Sequence, residues 1–266
     1  MTTTALTAPP AFSPLHTTSV YLREARYEFL RALRNKGFAF GVLGFPTMFY
    51  LLFGVANRHE TMHSGQNVAK YLLAGYAGFG TVGAALFGIG VGLAFERTSG
   101  WLSLKRASPM PPLAYLLARC AMATAFSILI VTILCGIGIT LAGVHLTPPE
   151  YGRLLTTALF GSVPFAAMGL CLAMILPPNN APGLANMIYL PMSYASGLWI
   201  PVSMLPHMVQ KIAPWLPTYH LAQLMVHAVG YGAPGDRISS HLSALAGFTL
   251  LFLGLAWIAF SRTEEA

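Results

Sequence analysis

Six apolar runs, at residues 37–56, 71–95, 113–143, 154–176, 183–200 and 241–260, are separated by short polar breaks. Each run is close to or above the about 20 residues a helix needs to cross the hydrocarbon of a bilayer. Inside hydrocarbon no water can satisfy the backbone, so such runs must form helices that pair their own N–H and C=O groups. Charge content agrees: 9% of the chain is charged, where a soluble domain carries about 25%. With 55% apolar residues and a mean hydropathy of +0.63, the expected fold is an all-α integral membrane protein of six transmembrane helices.

The net charge of +7 does not indicate nucleic-acid binding, because the basic residues mark the ends of apolar runs instead of gathering on one face. Placing both termini in the cytosol puts Arg23, Arg26, Arg31, Arg34, Lys36, Arg97, Lys105, Arg106, Arg119 and Arg262 inside. Arg58, Lys70, Arg153, Lys211 and Arg237 are then outside, the asymmetry the positive-inside rule favours. Cys120, Cys135 and Cys171 lie in apolar runs without metal-site spacing and read as small packing residues.

Residues 1–20, rich in Thr, Pro and Ala, read as a disordered cytosolic tail rather than a signal peptide. Residues 21–36 read as an amphipathic interfacial helix, with Leu22, Ala25, Phe29 and Leu33 opposite Arg23, Glu24, Glu28, Arg31 and Arg34. Residues 37–266 form the six-span domain. In the second run Gly80, Ala84, Gly88 and Gly92 recur every four residues, a smooth stripe against which another helix is expected to pack. Arg119, about two turns inside the third run, is expected to snorkel to the headgroups. Between the last two runs Pro201, Pro206, Pro214 and Pro217 cut the chain into two apolar pieces, 204–213 and 218–230, too short to span. They read as short outer re-entrant helices, the second with Thr218 as N-cap and Gly230 as C-cap.

The longest polar break among the inner loops runs from Glu96 to Pro112. After Gly100, Trp101, Leu102 and Leu104 supply an apolar side, Ser103, Lys105 and Arg106 a polar one, and three prolines stop any further helix. Such a surface helix is either a lipid anchor or a docking element for a cytosolic partner.

One catalytic pattern is present: His59-Glu60-Thr61-Met62-His63 matches H-E-x-x-H, where two histidines one helical turn apart bind zinc and the glutamate activates water. Its flanks are turn-like, and a third ligand would have to come from afar. A membrane metalloprotease is therefore the alternative reading, and a non-transporting scaffold a second. No phosphate-binding G-x-x-x-x-G-K-[ST] loop occurs, and no acidic residue falls within a run, as ion-driven transporters require. A membrane domain powered by another protein remains.

From about Tyr21 onward the chain resembles the type-2 permease subunits of ATP-binding-cassette exporters. The resemblance rests on the amphipathic N-terminal helix, Glu96-Arg97-x-x-Gly100 with Pro109 in the first cytosolic loop, Ser196-Gly197-Leu198-Trp199-Ile200-Pro201, and the later Leu205-Pro206 and Pro214-Trp215-Leu216-Pro217. It implies a bacterial inner-membrane subunit that performs no covalent chemistry and carries no cofactor. ATP and magnesium would belong to a cytosolic ATPase, two copies of which would serve a permease homodimer exporting an amphiphilic small molecule, lipid or glycan precursor. Glu96, Arg97, Gly100, Trp101 and Leu104 would form the coupling helix that meets the ATPase. Pro201, Pro206, Pro214 and Pro217 would frame the outer gate.

Overall fold

The computed structural model describes residues 14–62, 65–98 and 112–264. In chain order the helices are α1 (Pro14–Arg34), α2 (Lys36–Val55), α3 (Val68–Arg97), α4 (Pro112–Thr140), α5 (Pro148–Ile175), α6 (Ala181–Ala195), α7 (His207–Ile212), α8 (Pro217–Ala228) and α9 (Ile238–Glu264). The one β pairing among the described residues is an isolated bridge between Thr61 and Asn67. Five helices, α2, α3, α4, α5 and α9, are long and apolar enough to cross a membrane.

The expected span over 183–200 is shorter than the sequence pattern suggests. Helix α6 has 15 residues, about 22 Å against about 30 Å of hydrocarbon. It ends because Gly197 adopts φ +88°, a left-handed conformation that stops a helix, and Pro201 follows. The apolar residues 196–200 continue the hydropathy without continuing the helix, which hydropathy alone does not reveal.

Helix α3 is the centre of the bundle: 83% of its most apolar window is buried, against 22% for α2 and 11% for α9, which therefore face outward. Gly80 meets Ile130 of α4 and Pro46 of α2, and Gly88 meets Met122 and Phe38. The glycines off this stripe are equally close to neighbours. At Gly90 the backbone of α3 touches the backbone at Gly169 of α5, where a Cβ would lie 3.1 Å from the Gly169 carbonyl oxygen. So α3 uses small residues all round, and a periodic stripe captures one contact of several.

Helices α2 and α3 are not uniformly α. Wide π-type turns occur at Phe40–Gly44, Tyr50–Val55 and Leu86–Val91. Pro46, which cannot donate, lies between the first two. Such turns loosen carbonyls from the helical ladder, and the one at Gly88 is used by a side chain described below.

The two short helices between the last spans are α7 and α8, close to the expected pieces. Pro206 precedes α7 and Pro217 opens α8, each placed where a missing N–H costs nothing. Thr218 is not the cap: Leu216 occupies that position, and the buried Thr218 hydroxyl donates instead to the Met192 carbonyl at 3.1 Å. Gly230 takes φ +79° just past the helix. Helix α7 exposes Met208 and Ile212, whereas α8 is buried, with Leu221 against Gly78 of α3 and Gly161 of α5.

Helix α1 starts at Pro14, so the end of the expected disordered tail is helical, and residues 1–13 lie outside the described residues. Its inward face also differs from the amphipathic expectation. Phe29 packs on Phe126 at 5.3 Å between ring centroids, but Glu28 is buried while Leu22 and Leu33 are exposed. A charge partner inside the bundle outweighs the pull of the leucines toward the core.

Candidate functional site

At one end of α3, roughly 40 Å of helix away from Lys70, three helices bring charges together. The last turns of α3 supply Glu96, α4 supplies Tyr115 and Arg119 from successive turns, and α1 supplies Glu28 and Arg31. Glu28, Glu96 and Arg119 are all buried. The Arg119 guanidinium donates through Nη2 to Glu96 and through Nη1 to the Gly88 carbonyl at 2.9 Å, and its Nε lies 3.2 Å from Glu28 Oε2. Tyr115 donates its hydroxyl proton to Glu96 and sets its ring 5.4 Å from the guanidinium carbon. Arg31 Nη1 reaches Glu96 at 2.6 Å and Glu28 at 3.4 Å.

Among the described residues, two carboxylates and two guanidiniums meet here. Burying ions costs several kcal/mol each unless they are paired and hydrogen-bonded, and here the partners come from separate parts of the chain. Gly92 makes the approach feasible, since a Cβ there would stand 2.6 Å from Arg119 Nη1. A cavity of about 300 Å³ opens beside the cluster, lined by Glu28, Arg31, Asn35, Phe38, Glu96 and Arg119 among others. Arg97 is held separately, donating from Nη1 to the Met174 carbonyl at 2.6 Å in the last turn of α5.

These contacts correct two expectations. Arg119 does not snorkel to the headgroups; it is 5% exposed and ion-paired inside the bundle. A carboxylate is also buried at the end of a span, because α3 continues past Phe95 and carries Glu96 with it. Of the expected coupling residues, Glu96 and Arg97 face into the chain, and Gly100, Trp101 and Leu104 lie outside the described residues. Sequence reasoning does not find Glu28, Arg31 and Tyr115 as members of this group. A signal exists: an arginine inside an apolar run needs a carboxylate, and few carboxylates lie at that end.

The prolines expected to frame an outer gate lie at the other end. Pro201, Pro206, Pro214 and Pro217 each precede or open one of the short turns and helices between α6 and α8. Trp215 beside them is 80% exposed. At the same end Lys70 Nζ binds Glu150 at 2.7 Å and stands over the Tyr231 ring.

The described part of the H-E-x-x-H stretch, residues 59–62, is not the helix its chemistry needs. Residues 56–59 form a turn, Thr61 is in the isolated bridge, and His63 lies outside the described residues. His59 is exposed, and its Nε2 accepts from Arg58 Nε at 3.0 Å. Among the described residues, ligating side chains converge elsewhere, at His227, Asp236 and His241. Burial there opposes ionisation of Asp236, but hydrogen bonds from His241 and His227 outweigh it and hold the carboxyl below the usual carboxylate range.

Residues 23–229 match the family described as ABC-2 type transporter. The chain belongs to that family. It is an ABC-2 permease, a transport subunit rather than a catalyst, and its family implies an ABC ATPase as partner. The permease is also 27% identical over 238 residues to the putative transport permease YvfS of Bacillus subtilis (strain 168), covering 90% of this chain and 96% of that protein. With five apolar helices of spanning length, the permease is a multi-pass membrane protein. The matched region begins in α1 and ends just after α8, so it includes every helix of the charge cluster.

Proposed function

We propose that this chain is the membrane half of an ATP-driven exporter that moves an amphiphilic small molecule, lipid or glycan precursor out of a bacterial cytoplasm or inner leaflet. Two copies would pair in the inner membrane with two ATPase subunits, which would hold the ATP and magnesium, and α6 would complete six crossings with both termini cytosolic. The observation that carries this reading is the buried ion cluster at the basic end of the bundle. It fastens α1, α3 and α4 together at the point where residues 99–111 leave α3. A push on that loop is then delivered to three helices as one body, the kind of rigid-body rocking by which packed elements switch between two states.

Trp101→Ala and Leu104→Ala are expected to remove interface anchors worth about 2 kcal/mol or more each, leaving the permease folded but ATP hydrolysis uncoupled from export. The test is ATPase activity and transport in proteoliposomes holding the permease and its ATPase. Variants that assemble and couple like the parent would exclude docking through residues 99–111 and leave the lipid-anchor role. A parent complex that hydrolyses ATP without moving any amphiphile would favour the scaffold.

Topology is checked independently. Thr61→Cys and Lys211→Cys, both at exposed positions, should react with an impermeant thiol reagent in whole cells while Ser103→Cys does not. The reverse labelling pattern would turn the protein over in the membrane.

A further inference from the structure

At the outer end, the last turn of α8, the following loop and the first turn of α9 bring together His227, Asp236 and His241, whose ligating atoms all lie within 4.8 Å of one another. His227 Nε2 stands 2.9 Å from Asp236 Oδ2, and His241 Nε2 stands 2.9 Å from both carboxylate oxygens. The His241 ring is almost fully buried, with 5% of its side chain exposed. On its other side, His241 Nδ1 meets His220 Nδ1 at 2.9 Å, and His220 Nε2 meets the Pro214 carbonyl at 3.1 Å.

The hydrogens of this relay follow from one end. A carbonyl only accepts, so His220 Nε2 carries a hydrogen; neutral His220 then offers a lone pair at Nδ1, and His241 Nδ1 must donate to it. That leaves the lone pair of neutral His241 Nε2 aimed at a carboxylate. The chain of contacts from Pro214 to Asp236 therefore needs one added positive charge, either a proton on the histidines or a metal ion beside His241 Nε2. The second histidine, His227, points its Nε2 at the same carboxylate oxygen, so two nitrogens and one oxygen converge on one place. A ligating imidazole ordinarily has its far nitrogen held by a hydrogen bond, as His220 holds His241.

We propose that His227, Asp236 and His241 form a binding site for a zinc-type divalent transition-metal ion, with His220 fixing the orientation of His241. Two imidazoles and a carboxylate suit zinc and its neighbours, whereas calcium and magnesium take oxygen ligands. Bonds of about 2.0–2.2 Å at tetrahedral angles separate ligating atoms by about 3.4 Å, so the 2.9 Å histidine–aspartate contacts open by about 0.5 Å while the ligating atoms as a set, now within 4.8 Å of one another, draw to that spacing. Three protein ligands leave a fourth position for water. Gly232 lets the loop close over the site, since a Cβ there would stand 2.0 Å from His227 Nδ1. His227 also lines a cavity of about 700 Å³ between α5, α8 and α9. Metal binding would therefore staple α8 to α9 beside that cavity.

The test uses the full-length permease in detergent, purified without a polyhistidine tag, stripped with a chelator and then supplied with zinc or cobalt(II). The expected result is one zinc per chain, visible absorption of four-coordinate cobalt(II), and a zinc-dependent rise in unfolding temperature. His227→Ala and Asp236→Asn should abolish all three signals, and His59→Ala with His63→Ala should keep them. His220→Gln should keep the stoichiometry and weaken binding by about 10- to 100-fold. Because the cobalt spectrum is read on the unmutated protein, poor folding of a variant does not spare the proposal. A parent that takes up no metal overturns it in favour of a protonated histidine–aspartate cluster. Metal that persists in His227→Ala and Asp236→Asn, or that leaves with His59 and His63, overturns it as well.

Discussion

Arg119→Ala should destabilise the permease by about 3–5 kcal/mol, the cost of breaking a buried ion pair by removing one partner. The magnitude follows from what remains. Glu28 and Glu96 are 2% and 4% exposed, and among the described residues the cation left beside them without Arg119 is Arg31, whose side chain is 45% exposed. The Gly88 carbonyl, in the wide turn of α3, loses the hydrogen bond from Arg119 too. Arg31→Ala should cost far less, about 1 kcal/mol or below, because a half-exposed pair is screened by water. Arg119→Lys keeps the charge but not the fork that reaches Glu28, Glu96 and Gly88 at once, so it should fall between the two. Adding Glu28→Gln to Arg119→Ala should recover part of the loss by removing one of the two buried carboxylates that Arg119 faces. Unfolding temperatures in detergent and monodispersity on size exclusion read all four variants. An Arg119→Ala protein as stable as the parent would show that these charges are not held together in the folded chain.

The same cluster shows where a sequence stops being informative. Spans α2, α3, α4, α5 and α9 are legible because burial in lipid imposes a run of apolar residues, and the short helices α7 and α8 because prolines must sit at their starts. Glu28 reads as part of a polar face because helical periodicity weighs it against its own neighbours. Its buried partner Arg119 lies on α4, and no local pattern records that pairing. Arg119 reads as a lone charge for the same reason. The end of α6 escapes hydropathy because apolar residues 196–200 satisfy it in a turn as well as in a helix; Gly197 is the visible warning. Likewise the H-E-x-x-H spacing is chemically meaningful only on a helix, and Thr61 pairs with Asn67 instead. The residues that do converge, His227, Asp236 and His241, have spacings set by a loop and a helix start, which no short motif describes.

Gly75→Ala should be the most damaging small change in the bundle, at about 3 kcal/mol, the upper part of the range for forcing extra volume into a packed core. A Cβ at this position would stand 2.2 Å from the Leu198 carbonyl oxygen and 3.1 Å from its carbon. Neither atom can swing aside as a side chain could. Leu198 belongs to the turn after α6, and that turn is fixed on both sides: Tyr71 donates its hydroxyl proton to the Gly197 carbonyl at 2.9 Å, and the buried Leu198 side chain fills the space left by Gly78. Relief therefore requires moving α3 or the turn that leads from α6 toward α7 and α8. Gly136→Ala is the matched control, because a Cβ there meets nothing within 4 Å. It should be neutral or stabilising by about 0.5–1 kcal/mol, the ordinary gain of alanine over glycine inside a helix. Thermal unfolding of the two variants beside the parent separates backbone collision from a general intolerance of added methyl groups. If Gly75→Ala unfolds with the parent, the close contact between α3 and the turn at Leu198 is not present in the membrane protein. If it unfolds early while Gly136→Ala does not, transport by the surviving folded fraction tells whether that contact also controls transport. Loss of transport with ATP hydrolysis retained would place the turn in the moving part of the permease.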